Sequence, residues 1–75
     1  MQIYIKTLDG VLFAIEIEEL DTIDDLRRRI HDKVGIPKES IRLIFSGKDL
    51  IYERKCIDYG IRQDSVVHMV LRRSC

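Results

Sequence analysis

Cysteine occurs only twice in this 75-residue chain, too seldom for a disulfide scaffold. Cys56 sits beside Ile57 in an apolar context and Cys75 is the last residue, so two unbridged thiols are expected. That pattern suits a reducing compartment, the cytoplasm or the nucleus. Charge of one sign is lacking as well: 13 basic and 13 acidic residues cancel. No overall field therefore draws the chain to nucleic acid or to an anionic membrane. No apolar run is long enough to cross a bilayer, and no signal-peptide pattern precedes the first strand. Repeats, low-complexity runs and internal linkers are missing too, which leaves one small domain. Metal-ligand spacing, a phosphate loop and an acid–base constellation are also absent from the pattern. His31 and His68 fall far apart in the predicted fold, and a chain this short has no room for a deep cleft beside its core. No enzyme, metal site or cofactor is expected.

What the chain does contain is alternation. Ile3 and Ile5 face one way and Tyr4 and Lys6 the other, which predicts a strand over 2–7. Leu8-Asp9-Gly10 supplies a turn, and Val11 to Ile17 alternates again with Phe13, Ile15 and Ile17 inward. Thr22 is a good helix N-cap, with Asp25 three residues on to complete a variant capping box. Ile23, Leu26 and Ile30 recur at helical spacing, Gly35 suits the left-handed residue past the end, and Pro37 blocks continuation. The basic run Arg27-Arg28-Arg29 is read as a solvated helix face paired with Asp24, Asp25 and Asp32. Ile41–Phe45 predicts a third strand, Ser46-Gly47 a turn, 48–51 a short pairing segment, 56–59 one helical turn and 66–72 the closing strand. The fold class is α+β, a mixed sheet of four to five strands packed on one helix. Its expected core is Ile3, Ile5, Phe13, Ile15, Ile17, Leu26, Ile30, Leu43, Leu50, Ile61, Val67 and Met69. Residues 1–72 make the domain and 73–75 a flexible tail.

The closing strand, Val66-Val67-His68-Met69-Val70-Leu71, is apolar on both sides. Val67, Met69 and Leu71 share one face, and Val66, His68 and Val70 the other. One thin core covers only one face of a sheet, so the second face is open to a partner. If Leu43 meets the helix, Ile44 points away from it. Leu8, Ile44, His68 and Val70 then form an apolar patch ringed by Lys6, Arg42, Lys48 and Arg72. Such a surface suits a partner with small apolar residues and acidic flanks.

The same residues carry a family resemblance. Met1-Gln2-Ile3, Lys6-Thr7-Leu8 with Gly10, Asp21-Thr22-Ile23, Gly35-Ile36-Pro37, Arg42-Leu43-Ile44-Phe45 with Gly47-Lys48, Asp58-Tyr59, and Leu71-Arg72 after His68 and Val70 resemble ubiquitin and the Rub-type modifiers. The resemblance runs from Met1 to Arg72, and Arg72 leans toward ubiquitin. It implies a β-grasp fold and a recognition patch centred on Ile44, with Gly47 at its border and a second patch at Ile36 and Leu71. Ubiquitin-binding motifs and domains, proteasome receptors and ubiquitin-pathway enzymes are the implied partners of a monomeric chain. Lys6, Lys33 and Lys48 match acceptor lysines of the family, while Val11, Arg27, Arg29 and Gln63 have lost that amine. Val11 and Val34 stand where the family pattern is charged, Arg27 stands where the resemblance implies a partly buried cation, Tyr52 replaces the acid that pairs with it, and Cys56 replaces a leucine. Conjugation in this family requires a Gly-Gly end, because the tail threads a channel too narrow for side chains. Here Cys75 occupies a glycine position and Arg73 replaces an apolar residue of the second patch. The expectation is an interaction domain that is not conjugated; the alternative is a divergent or engineered covalent modifier.

Overall fold

The structure, a computed structural model, describes residues 1–72. The expectations for Arg73 and for the tail ending in Cys75 lie outside the described residues. Strands β1 (Gln2–Thr7) and β2 (Leu12–Glu16) pair as an antiparallel hairpin, with Ile3 opposite Ile15 and Ile5 opposite Phe13. The Thr7 N–H donates to the Val11 carbonyl at 2.9 Å, and the Val11 N–H donates back to the Thr7 hydroxyl at 3.1 Å. These bonds close the turn around Gly10.

Helix α1 spans Ile23–Val34. Its capping box is complete: the Thr22 hydroxyl accepts from the Asp25 N–H and the Asp25 carboxylate accepts from the Thr22 N–H, both at 3.1 Å. Two N–H groups that the first turn would leave bare are thereby satisfied. At the other end Gly35 adopts φ 78° and donates to the His31 carbonyl at 2.8 Å. That left-handed conformation costs a residue with a Cβ, which is why glycine stops the helix here.

Strands β3 (Ile41–Phe45), β4 (Lys48–Asp49) and β5 (Val66–Leu71) complete a five-stranded sheet in the order β2-β1-β5-β3-β4. β1 and β5 run parallel at its centre, and every other pairing is antiparallel. This is the mixed sheet on one helix of a β-grasp fold. Short 3₁₀ turns at Lys38–Ser40 and Cys56–Tyr59 carry the chain around the helix.

The core is one cluster between α1 and the inner face of the sheet. Ile3, Ile5, Ile17, Leu26, Ile30, Leu43 and Val67 are fully buried, with Ile15, Leu50, Ile61 and Met69 nearly so. Ile23, Ile41 and Cys56 join them, whereas Phe13 is only half-buried at the margin. Burial pushes the Cys56 thiol up to about 11, which keeps it neutral and unreactive.

The basic run departs from expectation. Arg27 is 8 % exposed, not solvated. Its guanidinium reaches Asp24 at 2.6 Å and the Lys38 carbonyl at 3.1 Å, and it stacks 3.4 Å from the centroid of Tyr52. The aromatic ring thus stands where the family pattern has an acid, and Asp24 on the preceding helical turn supplies the charge. Bonds from Arg27 and then Lys38 hold the Asp24 carboxyl below the usual carboxylate range. Arg28 lies 3.6 Å from both Asp24 and Asp25, but Arg29 pairs with Asp21 at 3.5 Å. Asp32 makes no ion pair among the described residues. Arg29 is instead turned toward β2 and the Asp21 loop, away from the helical neighbour three residues on.

Candidate functional site

The outward face of the sheet is organised by strand register. Lys6 lies opposite His68, His68 opposite Ile44, and Ile44 opposite Asp49. One cross-strand row therefore runs from β1 to β4, and Leu12 on β2, opposite Lys6, extends it. The next row pairs Val70 with Arg42, and Val66 pairs with Tyr4 on the far side. Side chains directly opposite one another sit about 4.5–5.5 Å apart at Cβ, close enough to form a continuous surface. Ile44 and Val70 are half-buried and His68 is exposed, while Leu43, Val67 and Met69 alternate into the core. The period-two pleat of β3 and β5 alone produces this arrangement.

The turn into β4 holds Ser46 at φ 53° and Gly47 at φ 75°. Two consecutive positive φ values are the twist that joins tightly paired antiparallel strands, and they set Lys48 back beside Phe45. Lys6, Lys48 and Arg72 are exposed and make no ion pair among the described residues. Arg42 differs: its guanidinium grips Asp49, with Nε 2.9 Å from one carboxylate oxygen. That contact raises the Arg42 value and lowers that of Asp49. The cationic rim is accordingly weaker at Arg42 than the sequence suggests. Val66 takes the outward place that its alternation with Val67 gives it. Asp49 and Leu12 went unnoticed as members of this face, because they join through register.

Leu8, Ile36 and Leu71 lie elsewhere. Leu8 is 83 % exposed at the hairpin tip, and with Ile36 and Leu71 it lines a groove of about 520 Å³ between the hairpin and the end of α1. Leu71 keeps the parity of Val67 and Met69 but is 53 % exposed, because β5 there runs past the cover of the helix. Of the family-type acceptor lysines, Lys33 donates its amine to the Ala14 carbonyl at 2.7 Å, whereas Lys6 and Lys48 project from the patch. Among the described residues no group of His, Cys, Asp and Glu is arranged to hold a metal ion.

A family model described as "Ubiquitin family" matches residues 3–74. The chain belongs to the ubiquitin family. It is 39 % identical over 71 residues to "Ubiquitin-like protein NEDD8" of Dictyostelium discoideum, covering 95 % of this chain and 92 % of that protein. It is also 39 % identical over 71 residues to "NEDD8-like protein RUB3" of Arabidopsis thaliana, covering 95 % and 91 %. A third relative, "E3 ubiquitin-protein ligase UPL5" of Arabidopsis thaliana, is 34 % identical over 73 residues, 96 % of this chain but 8 % of that protein. This ubiquitin-like domain is thus related both to NEDD8-like modifiers and to a segment of a far longer chain. With two NEDD8-type relatives at 39 %, the leaning toward ubiquitin itself rests on Arg72 alone.

Proposed function

We propose that this ubiquitin-like domain is a protein-interaction module that presents its Ile44-centred face to ubiquitin-binding motifs and domains, proteasome receptors or ubiquitin-pathway enzymes, without being conjugated itself. The observation that carries this is the row Lys6–His68–Ile44, flanked by Val70, Lys48 and Arg72. An apolar centre with cationic neighbours recognises an amphipathic segment with acidic flanks. Catalysis has no part in this reading, and the working compartment is the cytoplasm or nucleus, where Cys56 stays reduced. A single patch of this size binds weakly, with Kd on the order of 10–500 µM.

Titration with an acidic-flanked amphipathic helix of the ubiquitin-binding kind tests the proposal. Ile44→Ala should weaken it by more than about 1 kcal/mol, since a central apolar anchor dominates small interfaces. Unchanged affinity removes the face from the argument. The match over 92 % and 91 % of the length of two NEDD8-type relatives favours a second reading, a covalent modifier. Against it stands Cys75 at a glycine position of the family tail. A thioester formed with a ubiquitin-type activating enzyme and ATP would establish that second reading.

A further inference from the structure

Leu20 and Ile57 belong neither to the outward face of the sheet nor to the groove beside Leu8, yet they are 66 % and 49 % exposed. The chain sets them side by side. Thr22 and Lys55 form an antiparallel bridge, the Cys56 N–H donates to the Asp21 carbonyl at 2.9 Å, and the Ile57 N–H donates to the Glu19 carbonyl at 3.0 Å. Counted back from that bridge, Leu20 stands across from Ile57. The loop is also fixed from within: the Glu18 N–H donates to the Asp21 carboxylate at 3.0 Å and the Asp21 N–H to the Glu18 carbonyl at 3.1 Å. Two large apolar side chains are thus held out in water on an ordered support, so docking against them costs little further ordering.

A hollow of about 400 Å³ adjoins this pair, lined by Met1, Glu18, Glu19 and Leu20. Met1 packs against the core and Leu20 supplies the second apolar wall. The stretch from Glu16 to Asp25 holds six carboxylates and no base. Four of the six have close partners: Asp21, Asp24 and Asp25 pair with helix arginines, and Glu16 lies 3.0 Å from the Met1 amine. Glu18 reaches that amine only at 4.0 Å, and Glu19 makes no ion pair among the described residues. Residues 55–58 of the facing segment bring one charge of each sign, Lys55 and Asp58, so Glu18 and Glu19 set the sign of the field at the hollow. A side chain with a methylene stem and a cationic head fits such walls, the stem along Met1 and Leu20 and the head at the two carboxylates. The N–H groups of Glu18, Asp21, Cys56 and Ile57 are satisfied inside the molecule, so the seam offers no strand edge and an occupant must bring side chains.

We infer that the Leu20–Ile57 seam and its hollow are a docking site for a basic amphipathic helix, with an arginine or lysine meeting Glu18 and Glu19 and a large apolar residue one turn away covering Leu20 and Ile57. Side chains at i and i+4 stand about 5–6 Å apart on a helix, so one face of it can fill the hollow and reach the adjoining apolar pair. The charge preference is the reverse of that at the Ile44 face, where Lys6, Lys48 and Arg72 disfavour a basic partner. The two surfaces meet different partners, and this site stands whether or not the Ile44 face is occupied.

The test is an NMR titration of the isotope-labelled chain with two synthetic helical peptides. They share Leu at i+4 but carry either Arg or Glu at i. The Arg peptide should saturate with a Kd on the order of 1 mM or tighter, shifting Met1, Leu20 and Ile57 resonances. Ile44→Ala should leave that affinity unchanged. Leu20→Ser with Ile57→Ser removes the apolar contact and should weaken binding by about tenfold. Glu18→Gln with Glu19→Gln should erase the preference for the Arg peptide over the Glu peptide. All four side chains are exposed, so an unperturbed spectrum of each double variant separates lost docking from lost folding. Absence of saturable binding, equal affinity of the unsubstituted chain for the Glu peptide, or shifts confined to Ile44, His68 and Val70 would overturn the inference.

Discussion

Replacing Arg27 by methionine should expose how much of this small domain hangs on one buried cation. Methionine keeps an unbranched stem in the same space but removes the guanidinium. Three contacts are lost: the 2.6 Å bond to Asp24, the 3.1 Å bond to the Lys38 carbonyl, and the stacking on Tyr52. Hydrogen bonds to charged groups are worth about 1.5–3 kcal/mol each, and a partly desolvated cation–π contact about 0.5–2 kcal/mol. Two effects reduce the sum. Arg27 Nε is buried with no partner, a cost that methionine removes. Asp24 also keeps Lys38 at 3.3 Å and Arg28 at 3.6 Å, and its side chain is 31 % exposed. The expected net loss is about 2–3 kcal/mol at neutral pH, or roughly 10–20 °C in Tm for a domain of this size. Arg27→Lys should fall between, since an ammonium cannot span Asp24 and the carbonyl while lying flat on the ring.

The pH dependence follows from Asp24. Its folded value is depressed, so the stability it contributes is complete above its unfolded value of about 3.9 and is lost as pH falls through the folded one. Urea unfolding followed by far-ultraviolet circular dichroism at pH 7 and at pH 2.5 measures both arms. The cost of Arg27→Met should be smaller at pH 2.5 than at pH 7, because Asp24 is then protonated in the unfolded state and its contribution to folded stability is being lost. A loss below about 0.5 kcal/mol at pH 7, or an equal loss at both pH values, would refute the assignment of Asp24 as the partner.

Thr22→Ala breaks half of the capping box and should cost about 1 kcal/mol in urea unfolding, with Thr22→Ser nearly neutral. Ser46→Asn should stabilise the β3–β4 turn by a few tenths to about 0.5 kcal/mol, because asparagine tolerates the positive φ of 53° better than serine. In a Cys75→Ser background, Cys56 should resist a thiol reagent in the native protein and react at the rate of unfolding, since it is fully buried with its thiol pushed up to about 11. Rapid labelling under native conditions would show that the Cys56–Tyr59 turn opens locally.

Much of the architecture was legible in short-range pattern. The capping box at Thr22 and Asp25, the glycine stop at Gly35 and the alternation along β1, β3 and β5 depend on residues within a turn or a strand of one another. Element ends differ by a residue or two: β2 is Leu12–Glu16 where 11–17 was expected, and β4 stops at Asp49 instead of reaching 51. Such ends fray and depend on pairing partners. The outward placement of Ile44, His68 and Val70 was equally accessible, because parity follows from the pleat once Leu43 and Met69 point inward. Residue pattern alone did not mark Arg27 as buried, since three consecutive arginines look alike; the family resemblance, which has a partly buried cation there, did, but not that Asp24 would be its partner and Tyr52 its stacking face.

By itself, the order of residues determined which segments become strands or helix, which side of each turns apolar, and where the chain reverses. Those outcomes are decided by backbone sterics, side-chain period and capping bonds that reach only a few residues. Tertiary structure alone decided that β1 and β5 lie side by side in parallel, and so that Lys6, His68 and Ile44 share one row. It alone brought Asp49 against Arg42 and set Val11 across a groove from Val34. Such pairings join residues remote along the chain, and their energies arise only when packing of the common core brings them within contact distance.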